Sequence, residues 1–235
     1  MAPRIGVVVF PGTNCEHDVV AALESHGGRA ELVWHTAGEL AGFDAVVLPG
    51  GFAHGDYLRP GALARFSPVM AAVTRFAAAG GPVVGICNGF QVLTEAGLLP
   101  GALQKNAALH FVCAPVTVRV VSERSVLTAG VPAGTELRIP VNHFSGSYVC
   151  DRETLDQLRS EDRVVLRYVG NPNGSVDDIA AVANAAGNVV GLMPHPERAS
   201  SDLLGSADGV VLLRSLLAAA GRTAGGRPAA AAGPA

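Results

Sequence analysis

Lysine is almost missing from this chain: of 17 basic side chains in 235 residues, only Lys105 is a lysine. It sits in Leu103-Gln104-Lys105-Asn106 with no glycine loop before it. A Walker-type phosphate loop is therefore absent, and the chain has no recognisable way to hold ATP. Charge is scarce as well, at 16% of residues with a net of −3. That balance argues against a nucleic-acid partner and against an anionic membrane surface. No stretch approaches the roughly 20 apolar residues that span a bilayer. The apolar run before Pro11-Gly12 is too short for a signal peptide. These absences read as a cytoplasmic protein. The four cysteines (Cys15, Cys87, Cys113 and Cys150) lie far apart with no C-x-x-C spacing, so neither a disulfide framework nor a zinc site is expected.

Apolar residues, by contrast, make up 49% of the chain. At this length a chain buries roughly 70% of its unfolded surface, enough for one core without staples. A continuous β-branched run at 5–10 reads as a strand buried on both faces, 30–34 and 45–48 repeat the short apolar run, and 83–86 reads as another buried strand. Helical periods at 17–25, 63–79 and 89–96 alternate with them, each closed by glycine or proline. This alternation predicts an α/β fold: a three-layer, doubly wound, mostly parallel sheet with its sites at the carboxyl ends of the strands. Further strands are expected at 112–121, 136–141, 164–169, 179–183 and 189–193, extending or flanking the sheet. Helices are expected at 151–160 and 210–220. One domain, 4–220, is expected. The last 15 residues, 221–235, hold six Ala, four Gly and two Pro and read as a disordered tail.

The sharpest chemical signal is Gly85-Ile86-Cys87-Asn88-Gly89, placed between a strand and a helix. A G-x-nucleophile-x-G sequence at such a turn forms a nucleophile elbow, where flanking side chains would collide. The helix N-terminus lies under the Cys87 sulfur, and its partial positive charge favours the thiolate. A free cysteine is more often an inert core residue, and the elbow setting is what sets Cys87 apart. The candidate base is His195 in Pro194-His195-Pro196-Glu197. The prolines make this segment extended and stiff, so Glu197, two residues on, can address the imidazole and hold its orientation. His17, His26, His35, His54 and His110 show no comparable setting. A third element, Leu48-Pro49-Gly50-Gly51-Phe52, ends another strand. Its glycine N–H groups and the N–H of Asn88 could form an oxyanion hole.

Together, Gly85-Ile86-Cys87-Asn88-Gly89-Phe90-Gln91 and Pro194-His195-Pro196-Glu197 resemble the class I (triad) glutamine amidotransferases. Within them, the chain is most similar to the glutaminase subunits of phosphoribosylformylglycinamidine synthase. The segments carrying this are Phe10-Pro11-Gly12-Thr13-Asn14-Cys15, the run from Pro49 to Arg59, that from Leu93 to Leu103, Asn171-Pro172-Asn173-Gly174-Ser175 and Met193-Pro194-His195-Pro196-Glu197-Arg198-Ala199. The resemblance covers about residues 4–220. It implies a flavodoxin-like fold, with Cys87 as nucleophile, His195 as base and Glu197 as its orienting partner. It further implies that Gly51 and Asn88 supply oxyanion donors and that Phe52 and Gln91 line the substrate site. The substrate would be L-glutamine. The ammonia would pass to a large synthetase subunit through a complex bridged by a small third subunit. No cofactor is implied in this chain, while ATP and magnesium belong to the synthetase partner. Asn142-His143-Phe144-Ser145-Gly146 departs from the family's usual Ala-His-Gly-Glu-Gly, and Pro60 stands where a cysteine is common. A free-standing glutamyl hydrolase or peptidase-like enzyme on the same elbow remains open at this point.

Overall fold

The structure, a computed structural model, describes residues 1–225. In chain order it comprises β1 (Arg4–Val9), α1 (Glu16–Ser25), β2 (Arg29–Trp34), β3 (Ala45–Leu48), α2 (Pro68–Ala78), β4 (Val83–Ile86) and α3 (Asn88–Glu95). There follow β5 (Ala102–Gln104), β6 (Val112–Val120), β7 (Glu136–His143), β8 (Ser147–Val149), α4 (Arg152–Ser160), β9 (Val164–Val169), β10 (Ile179–Ala183), β11 (Val189–Leu192) and α5 (Gly209–Gly225). Nine strands form one sheet in the order β2-β1-β3-β4-β11-β10-β9-β6-β7. The ladders from β2 to β11 are parallel, and every ladder from β11 to β7 is antiparallel. The short β5 and β8 pair separately.

Both faces of the sheet are covered, which explains why β3 and β4 are buried at every position and carry no polar alternation. Leu48 pairs with Gly85 on one face. A Cβ at Gly85 would stand 2.6 Å from the Gly89 backbone and from Leu93 Cδ1, so this face carries α3. On the other face, Ile5 pairs with Ala45. A Cβ at Gly28 would lie 3.2 Å from Ile5 Cδ1 and 2.8 Å from Leu217 Cδ2 of α5. Alternate strand residues therefore meet opposite helical layers, giving the expected three layers.

Some expected bounds shift for local reasons. The helix expected over 63–79 is two pieces: a 3-10 turn at Ala64–Phe66, then α2. Pro68 forces Ser67 out of the helical region, to φ −64° and ψ 141°, and itself starts α2 at the position where its missing N–H costs nothing. At the other end, α5 continues to Gly225, past the expected stop at Ala220. Ala218, Ala219 and Ala220 favour helix propagation, and Thr223 Oγ1 donates to Ala219 O at 3.3 Å. Of the tail expected at 221–235, positions 226–235 lie outside the described residues. The three-residue strands β5 and β8 were too short to show a period.

Candidate active site

The turn between β4 and α3 holds Cys87 at φ 50° and ψ −104°. Such a conformation costs a non-glycine residue about 1–3 kcal/mol and persists only where the surroundings impose it. Here the Cys87 N–H is tied to Leu192 O at 2.7 Å. The flanking glycines are steric necessities, because a Cβ on Gly89 would run into the Leu48 carbonyl. The expected elbow is thus formed, with Cys87 buried and Sγ 3.8 Å from Asn142 O.

Strand β11 runs beside β4 with Leu192 opposite Ile86, so the residues following the two strands meet at one edge. The His195 N–H donates to Pro140 O at 2.8 Å, and its Nδ1 is 2.7 Å from Glu197 Oε1. Both side chains are essentially inaccessible. The segment is not extended through Glu197 as expected. Pro196 opens a 3-10 turn over Pro196–Ala199, and the turn brings the carboxylate back onto the ring. Burial lowers the imidazole pKa, yet Glu197 and then Cys87 and Cys15 outweigh it and hold His195 well above its ordinary value. His195 Nε2 has no aligned hydrogen-bond partner among the described residues.

A second thiol, Cys15, shares this imidazole. Cys15 stands at the N-terminal cap of α1, its N–H 3.2 Å from Gly50 O. Arg198 Nη2 approaches the Cys15 sulfur to 3.2 Å. Polar atoms of Cys15, His195 and Glu197 all lie within 4.8 Å of one another. The missed signal was positional: Cys15 follows β1 and precedes α1, as Cys87 follows β4 and precedes α3.

Cys15, His195 and Arg198 line a cavity of about 810 Å³ whose walls include Gly51, Phe52, Cys87 and Gln91. Gly51 has φ 145°, and a Cβ there would lie 2.6 Å from Asn14 N. The Phe52 N–H is engaged by Gly12 O at 2.8 Å, whereas the Gly51 N–H has no partner among the described residues. The Asn88 N–H opens α3, where first-turn donors lack intrahelical acceptors. Asn88 itself is buried as a hub, not exposed in the cavity. Its Oδ1 accepts from Ala53 N at 2.9 Å, and its Nδ2 donates to Asp56 Oδ1 at 3.1 Å and Gln91 Oε1 at 2.8 Å. Gln91 Nε2 donates in turn to Ser145 O at 2.5 Å.

The facing wall is the divergent Asn142–Ser145 run, which meets the site through backbone carbonyls, so the exchange of its side chains leaves those contacts intact. His143 in this wall is buried, and burial, then His195, pushes its pKa down to about 4. Asp56, half-buried, is pushed up to about 6 by burial. It belongs to a strained loop in which His54, Asp56 and Leu58 all have positive φ. Sequence reading missed both Asp56 and His143, because segments far apart in the chain, the loop holding Asp56 and the end of β7, bring them to the cavity.

The model for CobB/CobQ-like glutamine amidotransferase domains matches residues 2–207. The phosphoribosylformylglycinamidine synthase subunit PurQ of Rubrobacter xylanophilus is 57% identical over 217 residues, covering 92% of this chain and 99% of that protein. The chain belongs to the PurQ family. The Koribacter versatilis PurQ is 48% identical over 226 residues, covering 92% of this chain and 98% of its own. A chain in the structure of PurLQS from Thermotoga maritima superposes with a TM-score of 0.86 at 42% identity, covering 93% of this chain and 99% of that one. The PurQ match runs the length of the described fold. No helix among the described residues is long and apolar enough to cross a membrane.

Proposed function

We propose that this chain is the glutaminase subunit of a cytoplasmic phosphoribosylformylglycinamidine synthase, hydrolysing L-glutamine through a thioester on Cys87. The observation that carries this reading is the meeting of an elbow thiol with a Glu197-held imidazole at the floor of one open cavity. The Cys87 thiolate attacks the carboxamide carbon of glutamine, forming a C–S bond and moving the carbonyl electron pair onto oxygen. The N–H groups of Gly51 and Asn88 hold that oxyanion, each such donor being worth roughly 3 kcal/mol. Imidazolium His195, stabilised by Glu197, gives its proton to the departing nitrogen, and ammonia leaves. His195 then takes a proton from water, whose oxygen attacks the thioester. Glutamate is released and the thiolate restored.

Ammonia is the useful product. A large synthetase subunit, joined by a small bridging subunit, uses it with ATP and magnesium to convert formylglycinamide ribonucleotide to the amidine. This chain needs no cofactor of its own for its half-reaction. Exposed Tyr57, Leu58 and Leu109 support a partner at the cavity mouth, where Leu58 and Leu109 are lining residues. Nothing in the site favours a free-standing hydrolase. The test is Cys87→Ala in the assembled complex. Glutamine-dependent synthesis should disappear, while synthesis fed by ammonium salt persists, since Cys87 only makes ammonia. Loss of both, with the complex intact, would refute the reading.

A further inference from the structure

We infer that Asp56 binds the α-ammonium group of the substrate and selects the amino acid over a simple amide. This rests on the glutaminase reading of the cavity and names a part of substrate recognition that the triad does not explain. Asp56 lines the same cavity as Cys87 and Gln91. Its carboxylate has one hydrogen-bond partner among the described residues, the neutral Asn88 Nδ2 at 3.1 Å. No basic side chain among the described residues lies within ion-pair distance of it. Two other partly buried acids do have basic partners: Asp177 has Arg159 and Arg167, and Glu95 has Arg59 and Arg65.

A partly buried carboxylate without a counter-ion is costly in the ionised form, and a cationic ligand removes that cost. The raised pKa of about 6 reflects the same deficit, with burial as its main cause. The position suits an ammonium. Asn88 directly follows the nucleophile, and its Nδ2 gathers Asp56 Oδ1 and Gln91 Oε1 around one point. An ammonium with three N–H donors can engage both oxygens. Lys105, which forms no ion pair among the described residues, also lines the cavity, so a zwitterion meets both signs of charge there. Asp56 has φ 52°, a left-handed conformation that Asp and Asn tolerate better than other non-glycine residues. The loop is therefore built to accept this residue and to aim its short side chain.

The experiment compares glutamine with glutaramate, the same amide lacking the α-ammonium, in the assembled synthase. Asp56→Asn keeps the shape, an acceptor for Asn88 and the backbone preference while removing the charge. Ammonium-driven synthesis at the normal rate certifies that the variant complex is folded and assembled. The expected result is a KM for glutamine raised roughly 10- to 100-fold, the size of one charge-assisted contact, with kcat changed little. The kcat/KM for glutaramate should not move, so the preference for glutamine collapses. Equal losses with both substrates, or unchanged glutamine kinetics, would overturn the assignment. Failure of the underlying glutaminase reading shows separately, as a wild-type complex that releases no ammonia from glutamine.

Discussion

Gly50 is where the site can be disturbed by one carbon atom. A Cβ there would stand 2.7 Å from His195 Cε1, 3.1 Å from Cys15 Sγ and 3.5 Å from Cys87 Cβ. The Gly50 backbone is outside the left-handed region, so Gly50→Ala introduces no conformational strain of its own. Carbon atoms pack best at about 3.5–4.0 Å, so the imidazole must retreat by about 1 Å. It has little room to do so, being buried and held by Glu197 at 2.7 Å and by Pro140 through its own N–H. A misplacement of about 1 Å costs on the order of 10²-fold in rate, or about 2.7 kcal/mol of barrier. Stability should change less. Overpacking costs about 1–3 kcal/mol, offset by about 0.4–1 kcal/mol from the less flexible unfolded chain. The expected outcome is a roughly 100-fold loss of glutamine-dependent synthesis with ammonium-driven synthesis and complex assembly preserved. Glutaminase activity within about twofold of wild type would refute the account of how tightly His195 is placed.

Two further expectations follow from the charge arrangement. Glu197→Gln should slow thioester formation less than His195→Ala, because Glu197 orients and polarises the ring but transfers no proton; comparable losses in single-turnover acylation, with both variants folded, would contradict this. His143 makes a pH prediction. Its folded pKa of about 4 lies below the ordinary 6.5, so between these values the unfolded chain binds a proton that the folded chain does not. Its contribution is complete above pH 6.5 and falls as the pH drops towards 4, by at most about 3 kcal/mol. The raised carboxyl of Asp56 acts in the opposite sense over an overlapping range, so the test is a difference. Urea midpoints at pH 7.5 and 4.5 should separate more for the wild type than for His143→Gln, and equal separations would count against it.

The parallel half of the sheet was legible because β3 and β4 are short, wholly apolar runs punctuated by glycine and proline, a pattern read locally. Cys87 was legible for the same reason, since the glycines an elbow requires lie within two residues of it. His195 stood out because prolines flank it. The geometry of Glu197 was only half legible: its proximity to the ring followed from its spacing, but Pro196 turns the chain where alternation had been expected. Asp56 and His143 were invisible for a different reason. Asp56 lies on a loop and His143 ends β7, and their meeting at the cavity depends on packing across the whole sheet, which no local period encodes. The break before α2 was written in Pro68, but the alanine-rich period around it masked the signal.

The position of β11 bears on how the enzyme comes into being during synthesis. It is the last strand among the described residues, yet it lies between β4 and β10 in the middle of the sheet. A growing polypeptide that has already made Cys87 therefore lacks its base for more than a hundred residues. Closing that distance forms contacts of high sequence separation, which makes the central insertion a slow, late event in folding. Until it occurs, β4 has only β3 beside it, and the Cys87 N–H lacks the Leu192 carbonyl that restrains the turn. The reactive geometry is thus withheld from incomplete chains. A ribosome-bound fragment ending before residue 189 should carry an ordinary thiol, and competence should arrive in a single step as the final strand docks.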